Sequence, residues 1–279
     1  MSTVDLTKQA RHPPPLLEDL ELYSIKQVNA LSSEQRRQIF YHLVPLDVLL
    51  RLGIDSETLQ DEQGRPLVAY RPSDASGELF LRHRWDAEDP VLYLHLADTI
   101  NNQIEVLLFT VNDPDSERFD VDQLPDGTPI HFGTQTRNVA EEIRAMEAGL
   151  APGQVRRGLR LTRDLIPILE QFVTGLHHNA FYIQPLAYHN AILFERLGFA
   201  YVIGLGRMEW IHSAFAPGGL LYQRLNGSTR FRRPEMAHSV RERSWAIHDG
   251  ILEEPFTGVK MYKRVGIHAG VITFPNAPW

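Results

Sequence analysis

Four arginines stand within eight residues in the stretch Val155-Arg156-Arg157-Gly158-Leu159-Arg160-Leu161-Thr162-Arg163-Asp164-Leu165-Ile166. Guanidinium groups fork onto the oxygens of phosphates and carboxylates. A run of charges at a helix is equally a solvated face, so the stretch reads either as a set of phosphate ligands or as a wet helix surface. Three imidazoles, His177-His178 and His189, are the other chemistry-bearing group. Adjacent histidines on a strand or turn point in opposite directions, and no carboxylate joins them at a spacing such as His-x-x-x-His, so no metal is expected. Gly204-Leu205-Gly206 lacks the third glycine and the following helix of a dinucleotide fingerprint. Neither a Gly-x-Ser-x-Gly elbow nor a Walker-type loop occurs. With no cysteine in 279 residues, thiolate nucleophiles, disulfides and Cys-ligated zinc are excluded.

The elements that position these groups follow from periodicity. After a polar lead-in ending in Pro13-Pro14-Pro15, helical spacing runs over Leu16 to Val28 and Ser33 to Leu52. Ser32 or Ser33 suits the N-cap, Pro45 kinks or divides the second helix, and Gly53 ends it. From Pro66 to Val111 the period changes to two. Strands are expected over Pro66 to Arg71, Glu78 to Trp85, Val91 to Ala97 and Gln103 to Val111, and the short gaps between them favour antiparallel pairing. A Pro- and Asp-rich connection covers Asn112 to Phe132. A helix follows over Ala140 to Gly149, and Ala151-Pro152-Gly153 breaks it. The next helix carries the stripe Leu165, Leu169, Phe172 and Val173. It accommodates Pro167 only if it begins near Thr162, so that the missing N–H falls in or just past the first turn.

The clearest unit is Ala180 to Ile203: a short apolar strand around Phe181 and Ile183, a helix through Ala187, Phe194 and Leu197, a stop at Gly198, and a second strand from Phe199 to Ile203. It resembles the last conserved block of the GCN5-related N-acetyltransferases, Asn-x-x-Ala-x-x-x-Tyr-x-x-x-Gly-Phe. Leu193, Glu195, Arg196, Leu197 and Gly198-Phe199 match. Ala187 replaces the Asn, Asn190 the Ala and Phe194 the Tyr. One helix and one strand earlier, the arginine stretch stands where that family keeps its acetyl-CoA pyrophosphate loop, Arg-Gly-x-Gly-x-Gly or Ala followed by Leu-Leu. Arg157-Gly158 and Leu165-Ile166 fit, while Arg160 and Thr162 replace a glycine and a small residue. In such a loop, backbone N–H groups at a helix N-terminus bind the pyrophosphate.

The resemblance implies an α/β (α+β) fold: a mixed, mostly antiparallel sheet flanked by helices, with an extra N-terminal helical part over residues 1–60. The acyltransferase domain would then cover 61–279, with an insertion at about 207–257 before the terminal strand Gly258 to Val265. It also implies transfer of an acetyl or other acyl group from acetyl-CoA, as co-substrate, to a small-molecule amine. The cofactor contacts would come from Arg157, Gly158, Leu159, Arg160, Leu161, Thr162, Arg163, Asn190 and Phe194. The family's base is often a carboxylate on a central strand or a nearby His, which points to Glu105 and His95. Phe194 cannot protonate the leaving thiolate, and Tyr188 and Tyr201 are the neighbouring substitutes. The insertion, with Trp210, His212, Arg230 to Arg233 and a helix over His238 to Leu252, reads as a lid or acceptor element, or else as a dimer contact or packing decoration. A last strand-like piece is Gly270 to Phe274.

A hydrophobic fraction of 43% with 23% charged residues is ordinary for a globular chain. The net charge of -7 argues against broad nucleic-acid binding. No apolar run reaches spanning length and no basic-then-apolar leader opens the chain, so a cytoplasmic protein without membrane contact is expected; a homodimer is left open. The competing reading keeps the same fold with an altered cofactor cleft, as a small-molecule sensor or dimeric structural protein.

Overall fold

A carboxylate distant in sequence decides where the helix at Ile25 begins. Ser24 caps helix α1 (Ile25–Asn29) through its hydroxyl, and Asp98 accepts from the amides of Ile25 at 2.7 Å and Lys26 at 2.9 Å. With these first-turn donors satisfied at Ser24, residues 20–24 stay outside the helix that periodicity expects from Leu16. The computed structural model describes residue 17 and residues 20–133 and 136–279. The lead-in over 1–15 and the expected helix start at Leu16 lie outside the described residues. Helix α2 (Ser33–Tyr41) opens on a capping box between Ser32 and Gln35. Pro45 separates it from α3 (Leu46–Arg51), as its missing N–H requires. Gly53, at φ +66, ends α3.

The chain forms two compact units, Met1–Val111 with Arg160–Phe181, and Asn112–Leu159 with Tyr182–Trp279. In the first, β1 (Val68–Ser73), β2 (Ser76–Leu81), β3 (Leu92–Asp98) and β4 (Ile104–Val111) form the expected antiparallel meander. β1 runs past Arg71 through Pro72, and β2 begins two residues before Glu78, because Asp74-Ala75 makes a two-residue turn between Ser73 and Ser76. Helices α1 to α3 belong to this unit, so the helical N-terminal part and the meander share one core. There Phe40 stacks on Tyr70 with ring centroids 3.7 Å apart and meets Phe172 at 5.6 Å.

The second unit contains α4 (Val139–Glu147), whereas helix α5 (Thr162–Gly175) returns to the first. α5 buries Leu165, Leu169, Phe172 and Val173, and Pro167 falls just past its first turn. Strand β5 (Ala180–Ile183) has β4 and β7 (Lys260–Arg264) as neighbours in the strand order, and β7 pairs antiparallel with β6 (Ala200–Ile203). The seven strands are mostly antiparallel and the fold is mixed α/β.

Between β5 and β6, helix α6 (Tyr188–Arg196) ends as the sequence reads. Gly198, at φ +84, closes it in a Schellman turn, with Phe199 N–H on the Phe194 carbonyl at 3.0 Å and Gly198 N–H on Glu195 at 2.9 Å. The Phe194 and Phe199 rings pack 5.1 Å apart across the turn. Against the sequence reading, a helix does follow Gly204: the stretch 207–257 holds most of α7 (Leu205–Ala214), then α8 (Leu220–Gln223), a 3₁₀ turn (Pro234–Ala237) and α9 (Val240–His248). It buries Met208, Ile211, Phe215, Phe231 and Trp245, so it forms part of this unit's interior. α9 is shorter than the expected His238 to Leu252, because a Ser239–Glu242 capping box starts it and Gly250 ends it. Gly270 to Phe274 is no strand: the Thr273 amide and hydroxyl bind the two oxygens of Glu195, at 2.9 and 2.6 Å, instead of a ladder partner.

Candidate functional site

On the meander, strand alternation sends Leu92, Leu94 and Leu96 into the core and Tyr93, His95 and Ala97 to the opposite face. His95 lies directly across from Glu78 on β2, and Ala97 from Glu105 on β4. Directly opposed residues share a face, so both sequence-read base candidates, His95 and Glu105, are on the same side of neighbouring strands. Between them β4 carries a bulge: Leu96 pairs with Val106 and His95 with Leu108, which leaves Leu107 without a partner. Bulges bend a strand and re-aim its side chains, and they concentrate beside active sites. Here Leu107 and Leu108 are exposed, whereas Glu105 is only 8% exposed.

The rest of this face is polar and aromatic. Tyr93 donates to Glu78 Oε1 at 2.6 Å, and its ring stands edge-on to His95 at 6.5 Å. Burial, with the Glu78 carboxylate beside it, raises the Tyr93 pKa. Arg71 and Arg82 lie over the Phe80 ring. No local pattern pointed to Glu78 and Tyr93, because their pairing depends on β2–β3 register.

The arginine stretch divides between the units. In the second, Val155 and Arg157 are pinned to the connection after β4: Phe119 N–H binds the Val155 carbonyl at 2.8 Å and Asp113 N–H that of Arg157 at 2.7 Å. Arg156 donates to the Ser116 carbonyl, while Arg157 reaches the Ala148 carbonyl at 3.2 Å. Gly158 is exposed and Leu159 is buried. In the first unit, Leu161 is the N-cap of α5 and offers no side-chain cap. The amides of Thr162 and Arg163 accordingly have no hydrogen-bond partner among the described residues. Arg160 and Arg163 are exposed beside them. Arg160 takes a left-handed backbone at φ +60.

That conformation costs a residue with a Cβ roughly 1 kcal/mol, and glycine takes it without steric penalty. It occurs at the position where the pyrophosphate-loop pattern has glycine. Arg160→Gly is therefore expected to leave stability unchanged or to raise it by up to ~1 kcal/mol, whereas Arg160→Ile lowers it by ~1 kcal/mol or more. Urea unfolding midpoints check both. A clear loss for Arg160→Gly contradicts the backbone argument.

The remaining candidates lie in the second unit. Tyr188 is fully buried and its hydroxyl has no partner of hydrogen-bonding geometry among the described residues. Burial pushes its pKa to about 12, against the lowering effect of the Arg243 charge. Asn190 is half-buried on the same helix, and Phe194 sits in the core on Phe199. Tyr201 donates to Glu195 Oε1 at 2.5 Å, and burial and that carboxylate raise its pKa. The histidines are separately engaged. His178 Nε2 meets the Tyr23 carbonyl at 2.8 Å, and His189 Nδ1 meets Ser244 Oγ at 2.8 Å. Among the described residues, no group of three or more His, Asp or Glu side chains can hold a metal.

No family model, no curated protein and no solved structure matches the chain. The site has to be read on its own chemistry. The meander face offers a buried carboxylate, an imidazole and a phenol for moving protons. The start of α5 offers two unpaired amides, a helix dipole and two exposed guanidiniums for an anion. No helix among the described residues is long and apolar enough to cross a membrane.

Sequence reasoning missed a buried ionic network in the second unit. Arg137 forks onto Glu142 at 2.5 and 2.9 Å and reaches Asp249 at 2.9 Å. Arg232 also binds Asp249 at 3.0 Å, and His248 binds Glu142 at 2.9 Å. Only tertiary folding brings residues 106 and 112 positions apart together, so no spacing rule could have found it.

Proposed function

We propose that the protein is an acyl-CoA-dependent N-acyltransferase related to the GCN5-related N-acetyltransferases, moving an acetyl group from acetyl-CoA to a small-molecule amine in the cytoplasm. The observation that carries this reading is the left-handed backbone at Arg160, immediately before an uncapped helix N-terminus. It is the conformation that the glycine of a pyrophosphate loop exists to supply. Further support comes from the Gly198-Phe199 turn, from β6 running antiparallel to the terminal strand β7, and from the bulged β4 beside Glu105.

In this mechanism the phosphates of the acyl donor lie on the Thr162 and Arg163 amides, assisted by Arg160 and Arg163. Glu105, directly or through a water, takes a proton from the acceptor ammonium, and His95 on the same face relays it outward. The neutral amine attacks the thioester carbonyl. The tetrahedral intermediate then collapses with cleavage of the C–S bond; the attacking nitrogen loses its extra proton to solvent and solvent returns one to the departing thiolate, giving the amide and free CoA.

Because the chain has no cysteine, thiol titration reports released CoA without background. With acetyl-CoA and a panel of small amines, thiol release is expected for some acceptors, and Glu105→Gln lowers kcat/KM by ~100-fold, the usual share of a general base. Turnover unaffected by Glu105→Gln removes that residue from the mechanism. A second reading, a relative that binds an acyl-CoA without turning it over, is favoured by Phe194, which occupies the core where the family has its tyrosine. Binding without thiol release for any amine identifies that case.

A further inference from the structure

Two guanidiniums converge on one corner of the second unit, and no carboxylate pairs with either among the described residues. The corner is the end of α4. Gly149, at φ +82, closes that helix in a Schellman turn, with Leu150 N–H on Ala145 and Gly149 N–H on Met146, both at 2.9 Å. Arg157 reaches the Ala148 carbonyl at 3.2 Å. Arg241, from the first turn of α9, lies over the next residue, where a Cβ on Gly149 would stand 3.1 Å from its Nη1. Both guanidiniums therefore lie against the same dipeptide, and the charge of Arg157 acts on Arg241.

Arg241 is half-buried and its Nε is buried with no hydrogen-bond partner among the described residues. Burial lowers its pKa, and the charge of Arg157 acts in the same direction against that of Glu242. Glu242 itself accepts from the Ser239 amide in the α9 cap, at 2.9 Å. The Ala145 and Met146 carbonyls are satisfied within the turn, and a helix end supplies only about half a negative charge. Two like charges kept together with a donor left over are costly without a counter-anion.

We propose that Arg157 and Arg241 form a clamp for a phosphate group. Guanidinium forks match tetrahedral phosphate oxygens, and two of them on one dianion resolve both the mutual repulsion and the orphan Nε donor. The clamp stands on α4 and α9 of the second unit and does not depend on acyl transfer. The phosphate can be free or carried by a larger molecule such as CoA.

The test is thermal unfolding and calorimetric titration of the full chain with inorganic phosphate, against sodium chloride at matched ionic strength. Phosphate is expected to stabilise the wild type, and Arg157→Gln and Arg241→Gln each weaken its binding by at least ~10-fold. Arg241→Gln is also expected to hold or raise the unfolding temperature without phosphate, since it removes an uncompensated half-buried charge; a purely structural arginine would lower it. Equal phosphate effects on the wild type and Arg241→Gln, or a lowered unfolding temperature with unchanged phosphate binding, overturn the clamp. CoA and dephospho-CoA identify the source. Arg241-dependent preference for CoA assigns its 3′-phosphate, and no preference with phosphate binding intact assigns another phosphate. Phosphate binding without any CoA binding leaves the clamp standing and removes the acyltransferase reading. CoA turnover with no Arg241-dependent phosphate effect does the reverse.

Discussion

Between pH 6.5 and pH 3 the second unit is expected to lose several kcal/mol of stability, with His189 as the main cause. His189 is enclosed between α6 and α9, and burial, followed by the charges of Arg241 and His248, lowers its pKa from 6.5 to about 3. Its folded-state pKa is depressed, so the folded protein stays neutral at this site while the unfolded chain takes up a proton below pH 6.5. The full contribution is present above 6.5, declines as pH falls and is gone below the folded value. At ~1.4 kcal/mol per pKa unit the loss is on the order of 4 kcal/mol. Glu142 adds a second, lower limb. Burial raises its pKa, but the His248 and Arg137 hydrogen bonds outweigh that and leave it below its ordinary 4.5. Its stabilisation is thus present above 4.5 and lost as pH falls further. Urea unfolding at a series of pH values measures both. His189→Asn should flatten the slope between 6.5 and 4.5 and reduce it below 4.5 to the Glu142 limb alone; an unchanged upper slope contradicts the assignment to His189.

Arg137→Ala is expected to cost about 3–5 kcal/mol, the cost of leaving buried carboxylates without their cation. Arg137 serves two acids, Glu142 and Asp249, whose side chains are 5% and 10% exposed, and its guanidinium also lies over the Phe231 ring at 5.3 Å. Phe231 in turn stacks on Trp245 within the cluster of Phe119, Val121, Ala145 and Leu150. Arg137→Lys keeps the charge but cannot fork to both carboxylates, so it should recover only part of the loss. Denaturant unfolding distinguishes these cases, and a cost below ~1 kcal/mol for Arg137→Ala would show that Arg232 and His248 suffice for the two acids.

How far the sequence reached depended on whether a feature was local. Gly53, Pro45, the Ser32 cap and the Gly198-Phe199 turn each act within four residues of their cause, and all were legible. So were β1 to β4, whose alternation repeats over four strands. The start of α1 was not, because Asp98 on β3 supplies the first-turn acceptors. Gly270 to Phe274 has strand-like composition, yet Glu195 on α6 takes its donors. The division into two units and the filled interior of 207–257 depend on packing that no period encodes.

For the candidate site, sequence reading named His95, Glu105 and the arginine stretch but not their arrangement. The common face of His95 and Glu105 follows from β3–β4 register and from the bulge at Leu107. The left-handed backbone of Arg160 is a conformation that spacing and composition do not report. Tyr188 stood beside the motif in sequence, whereas folding encloses its hydroxyl.

Calorimetric titration of the full chain with acetyl-CoA tests the central claim most directly. Saturable binding that Thr162→Pro weakens by at least ~10-fold, through loss of the first amide of α5, is the predicted result. Absence of any heat of binding at millimolar acetyl-CoA would contradict the account.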